Sequence, residues 1–146
     1  MTFSQFVAQQ DARNTIDLNI RKYCLELIDV LKENYKQYAI RGHLNYINNS
    51  ETNVDRYKQC IAKLENGELP IDYEIETKAK YYKIILIDGG ASRHVHAFVN
   101  KKTGEVYKPA SFKGPEKGVR YNLLLISDRE WLYKNADWSG GYLYKR

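Results

Sequence analysis

The feature that most constrains the fold is a change in the spacing of apolar residues near residue 70. Between residues 16 and 38, apolar side chains recur every three or four positions, and charged side chains fill the remaining positions. That spacing is typical of one face of an α-helix, and it predicts an amphipathic helix of about six turns. Asn14 or Thr15 is expected to cap this helix, and Gly42 with the polar stretch 45–53 is expected to end it.

Two shorter helices are expected on either side of the long one. Phe3, Phe6 and Val7 follow Thr2, a good N-cap residue, which predicts a short first helix. A further helix is predicted from about residue 52 to residue 64. Asn66 and Gly67 should end it, because glycine readily adopts the left-handed conformation that follows a helix C-terminus.

The spacing of apolar residues after residue 70 is typical of strands. The pattern predicts an edge strand at 73–77, a central strand at 81–87, a hairpin of 92–100 with 104–108 that turns at Gly104, and a further strand at 123–126. Ser127 and Glu130 form a capping box that should open a short last helix. The predicted fold class is α+β, with N-terminal helices packed on a C-terminal, mainly antiparallel sheet of three to five strands.

The length and composition predict one cytosolic domain. The chain has 146 residues, with a helical half at about 1–68 and a sheet-rich half at about 70–146. No apolar run approaches the roughly 20 residues that a membrane span needs, and the first residues do not resemble a signal peptide. Cys24 and Cys60 lie at apolar helix positions, where a thiol acts as a small apolar group.

The basic residues are concentrated in the second half of the chain. Residues 1–77 carry a net charge of −3 and residues 78–146 carry +8. The most unusual part of this half is the Gly- and Pro-containing segment 109–122, which contains Lys113, Lys117 and Arg120 and follows a basic turn. An anionic partner is therefore expected to meet this half.

The candidate anion-binding residues are Lys101, Lys102, Lys113, Lys117 and Arg120, and the candidate stacking residues are Tyr107 and Phe112. The alternative is a solvent-exposed loop without a binding role, in which the glycines and prolines only set the backbone conformation.

The run from His96 to Asn122 resembles a stretch found in small uncharacterised proteins of tailed bacteriophages, including marine cyanophages. The sequence from Asp137 to Tyr142 is similar to the end of some of them, so the resemblance covers roughly residues 94–142. It implies a viral origin, a single small domain and a location in the cytoplasm of the infected host cell. It implies no catalytic residue, because that family has no assigned activity.

His94 and His96 form a pair on a predicted strand. Strand geometry would place both imidazoles on one face together with Phe98. Such a pair can bind a metal or act as acid and base on a phosphodiester, but a metal site needs more ligands. Two histidines on a half-exposed sheet face are the simpler interpretation, so no metal site is predicted.

The leading hypothesis is a phage-encoded accessory protein, without enzymatic activity, that binds nucleic acid or a nucleotide. The glycine spacing matches neither a Walker loop nor a dinucleotide fingerprint, so no cofactor is predicted. One alternative is a virion or host-interaction component with a protein partner or as a homo-oligomer. The other is a small metal-dependent hydrolase that uses His94 and His96.

Overall fold

The longest element of the molecule is a single helix, α1 (Phe3–Asn49). The computed structural model of the chain describes residues 2–49 and 52–144. At 1.5 Å per residue, the 47 residues of α1 extend roughly 70 Å. Thr2 caps α1 as predicted: its Oγ1 accepts the backbone N–H of Gln5 at 3.2 Å, while Gln5 Oε1 accepts the N–H of Thr2 at 2.9 Å.

The prediction of two helices before residue 45 is wrong, because α1 runs through both expected boundaries. No proline interrupts residues 3–49, and the residues between the two predicted helices include good helix formers such as Ala8 and Gln9. Gly42 costs a helix only about 1 kcal/mol, which the surrounding turns can offset. The helix therefore continues to Asn49.

The predicted second helix is confirmed as α2 (Val54–Glu65). It returns along the C-terminal part of α1, where the rings of Tyr46 and Tyr57 stack with centroids 5.1 Å apart. Gly67 follows α2 with a φ of +84°, as the sequence predicts for the end of this helix.

Five antiparallel strands form one sheet in chain order. They are β1 (Ile71–Thr77), β2 (Tyr81–Asp88), β3 (Ser92–Asn100), β4 (Glu105–Tyr107) and β5 (Tyr121–Asn122). The edge position of β1, the internal position of β2 and the β3–β4 hairpin agree with the sequence prediction. The α+β fold class is confirmed.

The predicted strand at 123–126 is wrong. Residues 123–125 form a turn, and helix α3 (Ile126–Asn135) begins immediately after it. The N–H of Leu123 still donates to the carbonyl of Gly104 at 2.8 Å, but β4 has no further residue to pair with. The predicted capping box of Ser127 and Glu130 is also wrong, because the N-cap position of α3 is Leu125, which places Ser127 inside the helix, and no side chain of the N-cap residue caps it.

The core lies between α1 and one face of the sheet. Ile20, Leu27 and Leu31 of α1 belong to the same buried cluster as Ile84 and Val99. Helix α3 contributes Leu132 to this cluster, and the C-terminal 3₁₀ helix (Gly141–Tyr144) contributes Tyr142 and Leu143.

The two cysteines differ in their burial. Cys24 lies fully inside the core, where burial raises the pKa of its thiol to about 12, so it acts as an apolar group as predicted. Cys60 is only half-buried.

None of the helices in the described part of the chain has the length and apolar character needed to cross a bilayer.

Candidate nucleic-acid interface

The two faces of the sheet have different surroundings. Successive side chains of a strand point to opposite faces. Tyr82 and Ile84 of β2 belong to the core that α1 covers, so Tyr81, Lys83 and Ile85 point to the opposite side. We call this opposite side the outer face. All buried residues of α1 and α3 belong to the core, which lies on the other face of the sheet, the inner face.

Three aromatic side chains from neighbouring strands meet on the outer face. The ring of Tyr81 lies 5.7 Å from that of Phe98 and 6.1 Å from that of Tyr107, in both cases nearly perpendicular. Edge-to-face packing of this kind is favourable between aromatic rings. The Tyr107 hydroxyl donates to Glu105 at 3.0 Å, and burial together with this hydrogen bond raises the pKa of Tyr107.

A buried lysine lies next to this aromatic cluster, beneath a half-exposed phenylalanine. The side chain of Lys83 is only 3% exposed, and its Nζ lies 3.6 Å from the ring centroid of Phe112. A cation this close to an aromatic face is attracted by it. Glu76 pairs with Lys83 across β1 and β2, and a hydrogen bond from Lys78 with the nearby positive charges lowers the pKa of Glu76. Phe112 is 48% exposed, so a flat aromatic surface backed by a positive charge faces solvent.

Phe112 is presented by a tight hairpin between β4 and β5. Pro109 and Pro115 form a β-bridge, and the N–H groups of Ala110 and Ser111 both donate to the carbonyl of Gly114, at 3.0 and 3.2 Å. These amides already have partners inside the protein. These two N–H groups are therefore not available to the predicted anion site while the hairpin keeps this conformation.

Arg120 is held by contacts within the protein. Its Nε donates to the carbonyl of Leu143 at 2.8 Å, its Nη1 donates to that of Gly118 at 3.3 Å, and its Nη2 lies 3.9 Å from Glu116. Glu116 also pairs with Lys108 at 2.8 Å. Arg120 thus joins the segment before β5 to the C-terminal 3₁₀ helix.

The four predicted lysines have different surroundings. Lys113 and Lys117 are exposed in the segment between β4 and β5, and Lys102 is exposed in the β3–β4 turn. Among the described residues, no carboxylate lies within 4 Å of these three ammonium groups. Lys101 donates to the carbonyl of Lys78 at 3.1 Å.

The outer-face cluster therefore contains two of the predicted site residues together with three residues that the sequence analysis did not select. Tyr107 and Phe112, the two candidate stacking residues, both contact the outer-face cluster. Sequence reasoning missed Tyr81, Lys83 and Phe98. The signal for Lys83 was present, because it is the only charged residue in the apolar run 81–87, and a charge buried in such a run needs a compensating partner, here the ring of Phe112.

The prediction that Phe98 shares the face of His94 and His96 is wrong, because β3 contains a bulge. The pairing with β2 moves from Ala97 directly to Val95, which leaves His96 as the extra residue. His96 consequently turns into the core, where its Nε2 lies 2.8 Å from the Tyr142 hydroxyl, while Phe98 points to the outer face.

The surroundings of His96 keep it neutral. Burial lowers its pKa to about 4, although the charge of Asp137 acts in the opposite direction. Burial also acts to raise the pKa of Asp137, but hydrogen bonds from Ser139 and from the N–H groups of Tyr142 and Gly141 lower it overall. These contacts hold the C-terminal 3₁₀ helix in place.

His94 and His96 both line a cavity of about 100 Å³ beside Trp138. Within the described residues, no group of three or more His, Cys, Asp or Glu side chains is arranged to hold a metal ion. His94 itself is exposed at the end of β3.

The comparisons with known proteins give one match. A family model described as "Family of unknown function (DUF7717)" matches residues 3–145. Neither the curated proteins nor the solved structures include a match to this sequence.

Proposed function

Because the chain belongs to DUF7717, a family without an assigned function, we propose a function from the geometry of the outer face: the protein binds single-stranded nucleic acid there. The observation that supports this proposal is the half-exposed ring of Phe112 over the buried ammonium of Lys83. Single-strand binders combine aromatic rings, on which bases stack, with cations that follow the backbone.

Single strands fit the outer face better than duplexes do. Exposed aromatic rings can receive splayed bases, as in the sheet-based RNA-binding modules, and the half-exposed Phe112 with the partly buried Tyr81 and Tyr107 offers such rings, whereas Phe98 is buried. Duplex recognition through the major groove normally requires an inserted helix or two-stranded ribbon. In the proposed complex, one base stacks on Phe112 and a neighbouring base approaches Tyr107 and Tyr81.

The phosphate contacts belong to the exposed lysines. Lys113 and Lys117 flank the stacking position, and Lys101 with Lys102 extends the basic surface at the end of β3. Arg120 is assigned a positioning role instead, because its guanidinium already holds Leu143 and Gly118. The same proposal includes action in an infected bacterial cell, which rests on the resemblance to tailed-phage proteins.

The first test is fluorescence anisotropy with single-stranded oligonucleotides of about 12 nucleotides, a length within the usual site size. Phe112→Ala should weaken binding by about 5- to 150-fold, which corresponds to the roughly 1–3 kcal/mol of one stacked base. The melting temperature should change little, because Phe112 is half-exposed. Binding by the wild type that is absent, or unchanged in Phe112→Ala, would contradict the proposal.

The second test measures the salt dependence of binding between about 50 and 200 mM salt. The double variant Lys113→Glu/Lys117→Glu should reduce the slope of log K against log salt by about 0.7 for each phosphate that the variant no longer neutralises. Lys58→Glu/Lys63→Glu on α2 is the matched control, since it makes the same change of charge at exposed positions away from the sheet. Equal effects of the two variants on the salt dependence would show that only the total charge of the protein matters.

A mononucleotide that binds as tightly as the oligonucleotide would indicate a nucleotide pocket instead of a single-strand site.

A further inference from the structure

The N-terminal part of α1 extends beyond the core without a covering partner. Ile20 is the first buried residue of the helix, so residues 3–19 form an arm of roughly 25 Å at 1.5 Å per residue, which touches the sheet where Asp17 accepts a hydrogen bond from the Tyr82 hydroxyl. Several apolar side chains of the arm face solvent, with exposed fractions of 82% at Phe3 and 68% at Leu18. Helical segments of this length are marginal in water unless one face packs on something.

One face of α1 runs continuously from this arm onto the body of the protein. Successive residues of an α-helix are rotated by about 100° about its axis. In α1, an arc of about 80° around the axis contains positions 7, 11, 14, 18, 21 and 25, which are separated alternately by four and three residues. The residues at these positions are Val7, Asp11, Asn14, Leu18, Arg21 and Leu25. We call this set the dimer face. Arg21 is half-buried and the other five are exposed, including Leu25 at 48%.

The positions of the dimer face are symmetric about position 16, and two of the three facing pairs are chemically complementary. In an antiparallel pair of helices related by a two-fold axis at this position, Val7 would meet Leu25 of the second copy. Asp11 would meet Arg21, and Asn14 would meet Leu18. Apolar residues thus meet at both ends of the contact, and opposite charges meet between them.

Charge favours the antiparallel arrangement over the parallel one. A parallel pair in register would set Asp11 against Asp11 and Arg21 against Arg21, which is unfavourable. Among the described residues, no basic group lies within 4 Å of the Asp11 carboxylate, so it is available to a partner. Within the described residues, Arg21 has no carboxylate within 4 Å; its Nη1 lies 3.5 Å from Thr77 Oγ1, and its guanidinium carbon lies 5.7 Å from the centre of the Tyr82 ring.

We infer that the protein forms a homodimer in which the dimer faces of two α1 helices pack antiparallel about position 16. Each arm then lies along the α1 body segment of the other copy. The exposed apolar residues of the arm gain a partner, and the dimer contains two Asp11–Arg21 pairs. This inference does not depend on nucleic-acid binding.

Disulfide trapping tests the register directly. The full-length variant Val7→Cys/Leu25→Cys, in a Cys60→Ser background, should form a covalent dimer on oxidation. The two new thiols cannot bond within one chain, because 18 residues of helix hold them about 27 Å apart. Arg13→Cys/Asn19→Cys is the matched control, since its positions are also symmetric about position 16 but lie outside the dimer face. Equal trapping by both variants would contradict the proposed register.

Sedimentation velocity at up to about 200 µM protein, where even a dimer with a Kd of ~100 µM is populated, tests the association. Asp11→Arg should weaken the dimer by about tenfold or more, because two attractive pairs in each dimer are replaced by two repulsive ones. The exchange Asp11→Arg/Arg21→Asp should restore the affinity to within about threefold of the wild type. A monomeric wild type, or an exchange that fails to restore association while circular dichroism shows a folded protein, would overturn the inference.

Discussion

Lys83 and His96 are polar side chains that the sheet buries in two different ways. Lys83 keeps favourable electrostatic surroundings, because its ammonium lies under the ring of Phe112 and across from Glu76. His96 is accommodated as a neutral ring, with one nitrogen held by the Tyr142 hydroxyl. The ammonium of Lys83 thus keeps a positive charge close to the surface. The buried ring of His96 makes stability depend on pH.

The buried histidine should destabilise the protein in mild acid. The pKa of His96 is about 4 in the folded protein, below its ordinary value of 6.5, so the unfolded chain binds more protons between these values. The free energy of unfolding should therefore fall as pH decreases through this window, by about 2 kcal/mol between pH 7 and pH 5. Urea unfolding at the two pH values measures this loss.

Two variants isolate the contribution of His96 to that loss. His96→Gln should remove most of the difference between the two pH values, whatever its effect on absolute stability. His94→Gln is the matched control, because it removes an exposed histidine from the same strand and leaves the buried ring in place. An unchanged pH dependence in His96→Gln would show that another group is responsible.

At the scale of elements, glycines have opposite roles in the long helix and in the β3–β4 hairpin. Gly42 lies inside α1, with open space around the position where a β-carbon would stand. Gly104 turns the hairpin with a φ of +75°, and a β-carbon there would lie 2.9 Å from Leu124 Cγ and 3.2 Å from the Leu124 backbone nitrogen. The first glycine weakens its element, whereas the second is required by its turn.

The same substitution should therefore have opposite effects at these two sites. Gly42→Ala should raise the free energy of unfolding by about 0.5–1 kcal/mol, because alanine is the better helix former. Gly104→Ala should lower it by about 1–3 kcal/mol, because of the strained conformation and the close contact with Leu124. Chemical denaturation of the two variants measures both changes. Destabilisation by Gly42→Ala would indicate that the helix does not run straight through this position.

At the scale of the whole molecule, the two halves of the chain share one core. The buried side chains of α1, among them Ile20 and Leu31, contact a cluster that also contains Ile84, Val106 and Leu143. The Tyr133 hydroxyl of α3 donates to Glu26 of α1 at 2.9 Å, and the N–H of Trp138 donates to Asn34 at 2.9 Å. Each half covers apolar surface of the other.

A fragment of residues 70–146 should therefore not fold by itself. Without α1, the inner face of the sheet loses its cover and would expose a large apolar surface. Thermal unfolding followed by circular dichroism should show no cooperative transition for this fragment. A cooperative melt together with a dispersed NMR spectrum would mean that the sheet-rich half is an independent domain.

A chain that begins at Asn14 should behave in the opposite way. It keeps every buried residue of α1, and Asn14 or Thr15 can cap the shortened helix. Its melting transition should stay cooperative, while the loss of Val7 and Asp11 should abolish the proposed dimer. Loss of the cooperative transition would show that the arm contributes to the monomer fold.

The sequence by itself determined those features that depend on local spacing and local chemistry. Apolar residues at helical spacing predicted α2 and the part of α1 over the core, and strand patterning with Gly104 predicted the β3–β4 hairpin. These elements follow from side-chain periodicity and backbone freedom, which are properties of neighbouring residues. The α+β class follows from the order of the two patterns along the chain.

Tertiary structure decided the features in which weak local preferences compete. The sequence predicted that the helix ends at Gly42, but α1 continues through it, because the surrounding turns offset the cost of one glycine. The bulge at His96 was hidden, since strict alternation along β3 gave no sign of an extra residue. The contact of Lys83 with Phe112 joins residues 29 positions apart, and it forms only because the β4–β5 hairpin folds back over the outer face. Contacts of that range depend on packing, which no local pattern in this sequence encodes.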